Sequence, residues 1–204
     1  MSELIGNPNG IDFFENIAQT IEQARRLVGR TADLTMCMTY FEVGRMIVEE
    51  EQNGKARAEY GKGLLAELSR FLTVRFKQGF SSSTLKNARK FYQVYAPSIR
   101  QAMLAEFENS EKKLNFQSFL TVLENSVTSR KGQAMLAKSY PFTLSWSHYL
   151  ILMRIKNDDE RKFYEIEAMR QHWPYRFLQR QYGSSLYRKS PRIVIGVSPG
   201  IPEI

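Results

Sequence analysis

A short basic segment is the part of the sequence whose residue types best suit binding to a polyanion. Lys86, Arg89 and Lys90 lie within five residues, separated only by Asn87 and Ala88. Lysine and arginine pair with phosphates or guanine, and asparagine can pair bidentately with adenine. The segment therefore predicts contact with double-stranded DNA. The candidate DNA-binding residues are Arg75, Lys77, Ser82, Ser83, Lys86, Asn87, Arg89 and Lys90.

Positive charge is concentrated around this segment. The chain has a net charge of +8, and residues 60–100 hold eight basic residues against one acid, Glu67. A basic block of this kind is the electrostatic footprint expected for a partner such as nucleic acid. On charge alone, a solubilising helical surface fits equally well.

Groups that could support catalysis are sparse. The two histidines, His148 and His172, stand beside Trp146 and Trp173 in aromatic-rich segments, where we expect a packed seam between helices rather than a catalytic or base-stacking site. The single cysteine, Cys37, lies in an apolar run typical of an inert core thiol. These residues have no metal-ligand spacing, and the chain has no phosphate-binding glycine loop. The sequence predicts no catalytic residue, no metal and no cofactor.

Two acidic segments need separate interpretation. Glu111 is followed by Lys112 and Lys113, but the surroundings are polar and have neither strand character nor an upstream Pro-Asp pair. A metal-dependent nuclease would need clustered carboxylates together with a lysine. The acidic residues at 158–160 suit the start of a helix instead, with Asn157 before them. Neither segment predicts a nuclease site.

The basic segment follows a stretch with the spacing of a helix, a turn and a second helix. Apolar side chains recur three or four positions apart over 64–76. Gly79 allows a left-handed turn. Ser81 fits the N-cap of the second helix, with Phe80 and Leu85 at hydrophobic-staple spacing. This order predicts a helix-turn-helix over 64–95.

The second helix of this motif sorts its residues by angle. At about 100° per residue, one face is apolar and should pack on the preceding helix; it holds Leu85, Ala88, Tyr92 and Tyr95. The opposite face holds Ser83, Lys86, Asn87 and Lys90, with Arg89 on its flank. The opposite face is the one predicted to contact bases or phosphates. An ordinary helical hairpin with a charged outer face would show the same pattern.

The rest of the sequence predicts an all-α protein. Residues 11–100 form the first helical region, with helices over 11–29 and 33–51, Gly29 as a stop and Asp33 as an N-cap. The glycine-containing stretch 53–63 reads as a connection. Residues 101–143 suit a partly helical linker, 144–187 a second lobe of three helices, and 188–204 an extended tail. In the second lobe, Pro174 opens the last helix, which ends near Gly183.

The chain shows no sign of membrane insertion or export. Its apolar runs are too short to span a bilayer, and its first residues lack a basic region followed by an apolar core. We therefore expect a cytoplasmic protein that has no membrane partner.

Two long blocks of this sequence resemble the N-terminal domain of the YhcG-like putative nucleases. The first is "YFEVGRMIVEEEQNGKARAEYGKGLLAELSRFLT" followed by "GFSSSTLKNARKFYQVY", and the second is "LSWSHYLILMRIKNDDERKFYEIEAMRQHW". The resemblance extends over residues 15–187, more loosely in 101–143. It implies an all-helical bacterial domain that is associated with DNA and with recombination or repair.

Members of the resembled family carry a C-terminal nuclease domain of the PD-(D/E)xK type. After "SSLYRK" this sequence continues only with "SPRIVIGVSPGIPEI", so we expect that domain to be missing and the chain not to be an enzyme. A homo-oligomer or a separate nuclease subunit is the further partner expected beside DNA. The alternative function is a protein-interaction or oligomerisation module that has no direct DNA contact.

Overall fold

The computed structural model describes residues 8–53, 58–106, 121 and 142–189. All regular elements in those ranges are helices, which confirms the all-α class. The helices are α1 (Pro8–Asn53), α2 (Ala58–Phe76), α3 (Ser82–Glu106), α4 (Trp146–Leu152), α5 (Asp158–Arg170), α6 (Tyr175–Gly183) and α7 (Leu186–Lys189). The chain divides after Trp146 into two compact units.

The first helix is continuous, and the prediction of two helices in this part of the chain is wrong. α1 runs for 46 residues, so Gly29 does not end a helix and Asp33 does not cap the start of one. Gly29 is exposed, with open space where a side chain would stand. A glycine in a helix interior costs only about 1 kcal/mol relative to alanine, which is too little to end a long helix by itself.

Two other helices are longer than predicted. α2 begins at Ala58, so Gly61 and Gly63 lie inside a helix rather than in a connection. α3 continues through Pro97 to Glu106, beyond its predicted end at residue 95. The first two residues of the predicted tail belong to α7. Most of the predicted linker, including the Glu111 segment, and residues 190–204 lie outside the described residues.

The centre of the first unit takes one residue from each of its three described long helices. Ile47 of α1, Leu65 of α2 and Leu85 of α3 are buried together. Partly buried side chains pack around them, namely Val43, Leu68, Leu72 and Phe80. Each large apolar side chain buried in this way stabilises the fold by about 1.5–3 kcal/mol. This shared core holds α3 against both α1 and α2.

The backbones of α1 and α3 also approach each other closely. A Cβ atom placed on Gly44 would lie only 2.1 Å from the carbonyl oxygen of Ala88. The predicted inner face of α3 is thus inside the fold, but it packs on α1 as well as on the preceding helix. Phe91, which the angular argument omitted, is fully buried, whereas Tyr92 is half-buried.

An aromatic cluster joins residues 142–146 to α1 and α3. The ring of Phe142 lies 4.8 Å from that of Phe91, and Trp146 stacks on Tyr40 at 4.3 Å between centroids. Trp146 also meets Phe91 edge to face at 5.2 Å. Distances of 4.5–7 Å are typical of stabilising aromatic pairs. Trp146 is therefore a packed side chain of the first unit, as expected.

The second unit is built from short helices and has a buried centre that includes Tyr149, Tyr164 and Leu178. Asn157 caps α5, since its Oδ1 accepts a hydrogen bond from the backbone N–H of Glu160 at 2.8 Å. Pro174 precedes α6, which ends at Gly183, as predicted. The short helix α7 is an addition to the three helices expected here.

Candidate nucleic-acid interface

The connection between α2 and α3 is a tight, hydrogen-bonded turn. Gly79 has a φ of 95°, which confirms the left-handed conformation predicted for it, and Lys77 has a φ of 66°. The N–H of Lys77 donates to the carbonyl of Thr73 at 2.8 Å and closes α2. The hydroxyl of Ser69 donates to the carbonyl of Phe80 at 2.9 Å, which ties the turn back to α2. Residues 77–81 make the turn slightly longer than the usual three or four residues.

The start of α3 is capped in the manner predicted. The Oγ of Ser81 accepts a hydrogen bond from the backbone N–H of Thr84 at 3.2 Å, and its carbonyl accepts one from Leu85 at 3.0 Å. Phe80 packs against the core cluster that contains Leu85, which is the contact expected of a hydrophobic staple. Together these contacts set the position and the rotation of α3 about its axis.

The rotation of α3 leaves most of the candidate residues accessible. Ser83, Lys86 and Lys90 are exposed, while Ser82 and Asn87 are half-buried. Lys86 and Lys90 are one helical turn apart, a spacing that brings side chains together on one face. Both serines lie in the first turn, where backbone N–H groups lack helical partners and favour anions.

The end of α2 and the turn each add one exposed basic residue, Arg75 and Lys77 respectively. The sequence between Glu67 and Glu106 contains no acidic residue. The candidate residues on α2, the turn and α3 therefore lie in a stretch of uniformly positive formal charge, which suits a phosphate backbone.

Arg89 differs from the other candidates because it is engaged within the fold. Its Nη1 binds Oε1 of Glu51, near the end of α1, at 2.7 Å. Its Nε is buried and has no hydrogen-bond partner among the described residues. The ion pair fastens α3 to α1 next to the exposed side of α3 that holds Ser83, Lys86 and Lys90, which we call the basic face. Sequence reasoning missed this contact because the two residues are 38 positions apart.

An exposed apolar surface adjoins the basic residues at the end of α2. Phe71 and Val74 lie three positions apart on one side of α2, and both are exposed, Val74 by 86%. The guanidinium of Arg75 lies over the ring of Phe76, 5.8 Å from its centroid. Phe76 lies on another side of α2: it is 54% exposed, and its ring lies 5.5 Å from that of Phe80, which packs against the core cluster. Purely ionic binding of phosphates would not require this apolar surface.

Comparison with known proteins identifies the family. The sequence pattern of the DUF1016 N-terminal domain matches residues 16–189. The chain belongs to the DUF1016 N-terminal domain family. It is similar to "Putative nuclease YhcG" of Escherichia coli (strain K12), with 36% identity over 177 residues. That match covers 86% of this chain and 45% of the relative, so the chain spans less than half of the relative's length. No solved structure matches the chain.

The described part of this DUF1016 N-terminal domain brings no metal-binding group together. No set of three or more His, Cys, Asp or Glu side chains in the described ranges is placed to hold an ion. Cys37 is the inert core thiol predicted: it is fully buried, its thiol donates to the carbonyl of Leu144, and burial raises its pKa to about 12. No described helix of the domain is long and apolar enough to cross a membrane.

The two histidines differ from each other in this domain. His148 is half-buried, and its Nε2 lies 2.9 Å from the carbonyl oxygen of Trp173. It is packed, as predicted. His172 is exposed, with a φ of 54°, so the prediction that it is packed is wrong. Trp173 itself is buried beside Phe177, at 5.1 Å between ring centroids.

Proposed function

We propose that this DUF1016 N-terminal domain binds double-stranded DNA without cutting it, through a helix-turn-helix formed by α2, the turn and α3. The domain would act in DNA recombination or repair in the bacterial cytoplasm, and none of its described residues would take part in a catalytic step. A nuclease activity would come from another domain or a separate subunit.

The observation that carries the proposal is the two-sided character of α3. Its inner side is fixed by the buried residues Leu85, Ala88 and Phe91. Its outer side presents Lys86 and Lys90 to solvent. A helix that reads DNA has to be rigidly held on one side and exposed with basic residues on the other. The cap at the start of α3 and the ion pair to α1 supply that rigidity.

Each candidate residue takes a role that follows from its position. Lys86 and Lys90 contact phosphates or guanine, and Asn87 contacts adenine at the edge of the exposed face. Ser82 and Ser83 contact a phosphate at the start of α3. Arg75 and Lys77 contact the backbone on the flank. Arg89, which is bound to Glu51, positions α3 and does not contact DNA.

The experiment measures how binding to duplex DNA depends on salt. If about five phosphates are contacted, log K should fall against log salt with a slope of about −4 to −5. Replacing both Lys86 and Lys90 with glutamine should reduce the steepness of the slope by about 2. Glutamine has a helix propensity close to that of lysine, so the helix should remain intact.

A matched control removes the same charge from another helix. Arg176 and Arg180 of α6 are also exposed and one turn apart. Their double replacement with glutamine lowers the net charge equally but should leave the slope unchanged. A flat salt response in the parent protein would contradict the proposal, as would equal losses in the two double variants. Both variants must keep the parent's helicity and melting temperature.

The second candidate function is a protein-interaction module, and the exposed apolar surface of Phe71 and Val74, on one side of α2, is the observation that favours it. Apolar association strengthens or holds as salt rises, whereas DNA binding weakens steeply. Val74→Ser, at a side chain that contributes little to the core, separates the two functions. It should leave DNA binding unchanged under the first proposal and weaken a protein complex under the second.

A further inference from the structure

The first part of α1 extends away from the core of its own unit. We call residues 12–31 the α1 arm. Every residue from 12 to 30 is exposed, on all sides of the helix. Burial begins only further along the same helix, at Cys37, Met38 and Tyr40. Most helical stability in proteins comes from the packing of an apolar face, and no residue from 12 to 30 is buried by the part of the chain that the structure describes, so a partner surface would stabilise the arm.

One side of the arm is apolar with the spacing of a coiled coil. The steps between its residues alternate between three and four, which is the pattern of positions a and d in a heptad. The residues are Phe14, Ile17, Ile21, Ala24 and Val28. The four larger side chains are between 43% and 69% exposed. We call this set the arm seam.

The charges of the arm are separated along its length. Its acidic residues come first and its basic residues last; they are Asp12, Glu15 and Glu22, then Arg25, Arg26 and Arg30. A second arm in the same direction would set like charges beside each other. A second arm in the opposite direction would set the acidic end of each against the basic end of the other. Of these six residues only Arg25 stands at an e or g position of the heptad, so the charges favour the opposite direction through the net sign of each half of the arm rather than through specific ion pairs across the seam.

We propose that the α1 arm pairs with the arm of a second copy of this chain in an antiparallel coiled coil. This inference does not depend on DNA binding. In this dimer the arm seam of one copy packs against the arm seam of the second copy, and a two-fold axis relates the two. Such an interface uses the same surface on both copies, so it must be self-complementary. The separation of charge along the arm and the sizes of the seam residues both meet that condition.

The sizes of the seam residues fit an antiparallel register centred between Ile21 and Ala24. In that register, Ile21 of one copy lies opposite Ala24 of the second copy, and Ile17 lies opposite Val28. Phe14 lies opposite Thr31. Each layer therefore joins a larger side chain to a smaller one, as close packing between facing helices requires. Gly29 is not part of the seam.

The first test measures the oligomeric state of the full chain without DNA by sedimentation velocity, over about 1–100 μM. We expect a reversible dimer. Ile21→Glu should raise the dimer dissociation constant by about 100-fold or more, because the change enters a two-fold interface twice. Gln23→Glu adds the same charge to the same helix outside the seam and should change the constant by less than about threefold.

The second test determines the direction of the pairing. A chain with Phe14→Cys is mixed with a chain with Thr31→Cys under mild oxidation; Cys37 stays in both, since it is buried. A disulfide forms only where Cα atoms come within about 7 Å. We expect the mixed disulfide between positions 14 and 31 to dominate. Disulfides that link position 14 to position 14 would show a parallel pair and overturn the proposal.

A monomer over the whole concentration range would also overturn the proposal. If Ile21→Glu then lowered the melting temperature of that monomer, another part of the same chain would cover the arm seam. If neither oligomeric state nor melting temperature changed, the seam would be a solvated surface. Both results contradict pairing between copies, and neither affects the salt experiment on α3.

Discussion

Replacing Gly44 with alanine tests how closely α3 is held on α1. A Cβ atom at this position would lie 2.1 Å from the carbonyl oxygen of Ala88 and 2.9 Å from the Cβ of Tyr92. Ordinary van der Waals contact begins at 3.4 Å, so the helices would have to separate by roughly 1.3 Å. Neither neighbouring atom can rotate away, because one belongs to the backbone and the other is the first atom of a side chain.

The change in the free energy of unfolding is the balance between overpacking, which destabilises the fold, and helix propensity, which stabilises it. Forcing extra volume into a packed contact costs about 1–3 kcal/mol, occasionally more. Separating α1 from α3 would also loosen the pair formed by Phe41 and Phe91, whose ring centroids are 5.9 Å apart. Alanine favours a helix interior over glycine by about 0.5–1 kcal/mol. We therefore expect Gly44→Ala to lower the free energy of unfolding by about 2 kcal/mol.

Gly29→Ala is the matched control, because it makes the same change in the same helix. No atom outside the helix lies within 4 Å of a Cβ placed there. Only the helix propensity changes, and the variant should be more stable by about 0.5–1 kcal/mol. Denaturant unfolding followed by far-UV circular dichroism measures both variants. A Gly44→Ala variant as stable as the parent would refute the close approach of α1 and α3. A destabilised Gly29→Ala variant would refute the continuous helix.

Three further predictions concern single side chains of the first unit. Ser81→Ala should destabilise the unit by about 1 kcal/mol through loss of the cap. Ser83→Ala, at an exposed residue in the same turn, should change stability by less than about 0.5 kcal/mol. Thermal melting of both variants compares them, and equal effects would exclude the cap. Arg89→Ala should lower stability and leave the salt slope of DNA binding unchanged. A double-mutant cycle with Glu51→Ala should give a coupling energy of up to about 1 kcal/mol. A shallower salt slope in Arg89→Ala would show that Arg89 contacts DNA. Burial raises the pKa of Cys37 from 9.0 to about 12, so the folded chain keeps the thiol proton to higher pH than the unfolded chain does. The free energy of unfolding should therefore fall as pH rises between those two values. Cys37→Ala should flatten that part of the stability curve, and an identical pH dependence in both proteins would show that the thiol does not contribute.

The features that the sequence predicted correctly are those decided within a few residues. Ser81 and Asn157 cap their helices because the bond from a side chain to a backbone N–H spans only three positions. Gly79 takes a left-handed conformation because the turn needs one and glycine adopts it at no steric cost. The predicted inner face of α3 is largely buried, since angular position on a helix depends on spacing alone.

The predictions that failed treated a weak preference as a boundary. Gly29 lies within α1, and Gly61 lies within α2. Each glycine disfavours a helix by only about 1 kcal/mol, which helix-forming neighbours on both sides outweigh. Pro97 lies inside α3 even though proline in a helix interior costs about 3 kcal/mol. The end of a helix therefore depends on the sum of its neighbours and its packing, which a single residue type does not reveal.

The features that could not be predicted depend on residues far apart in sequence. No local pattern indicates that Arg89 binds Glu51, or that Trp146 stacks on Tyr40. The first contact requires α1 to lie beside α3, where the two backbones meet at Gly44, and the second requires Trp146 to return to α1. The sequence offered one signal of this close approach, a glycine on the apolar side of a long helix. Glycine weakens a helix, but it allows another backbone to come close.

The two ends of α1 take part in different contacts. Because these ends lie far apart along the helix, the proposals of DNA binding and of pairing between arms are independent of each other. The contacts that hold α3 in place, at Gly44 and Glu51, lie in the last third of the helix. The arm seam ends at Val28, about four turns before Gly44. A substitution in the arm therefore changes no contact of the basic face, and a substitution on α3 removes no residue of the seam. Because sites that share no partners have nearly additive effects, loss of DNA binding after a change in the arm would have to act through the oligomeric state, not through the structure of α3.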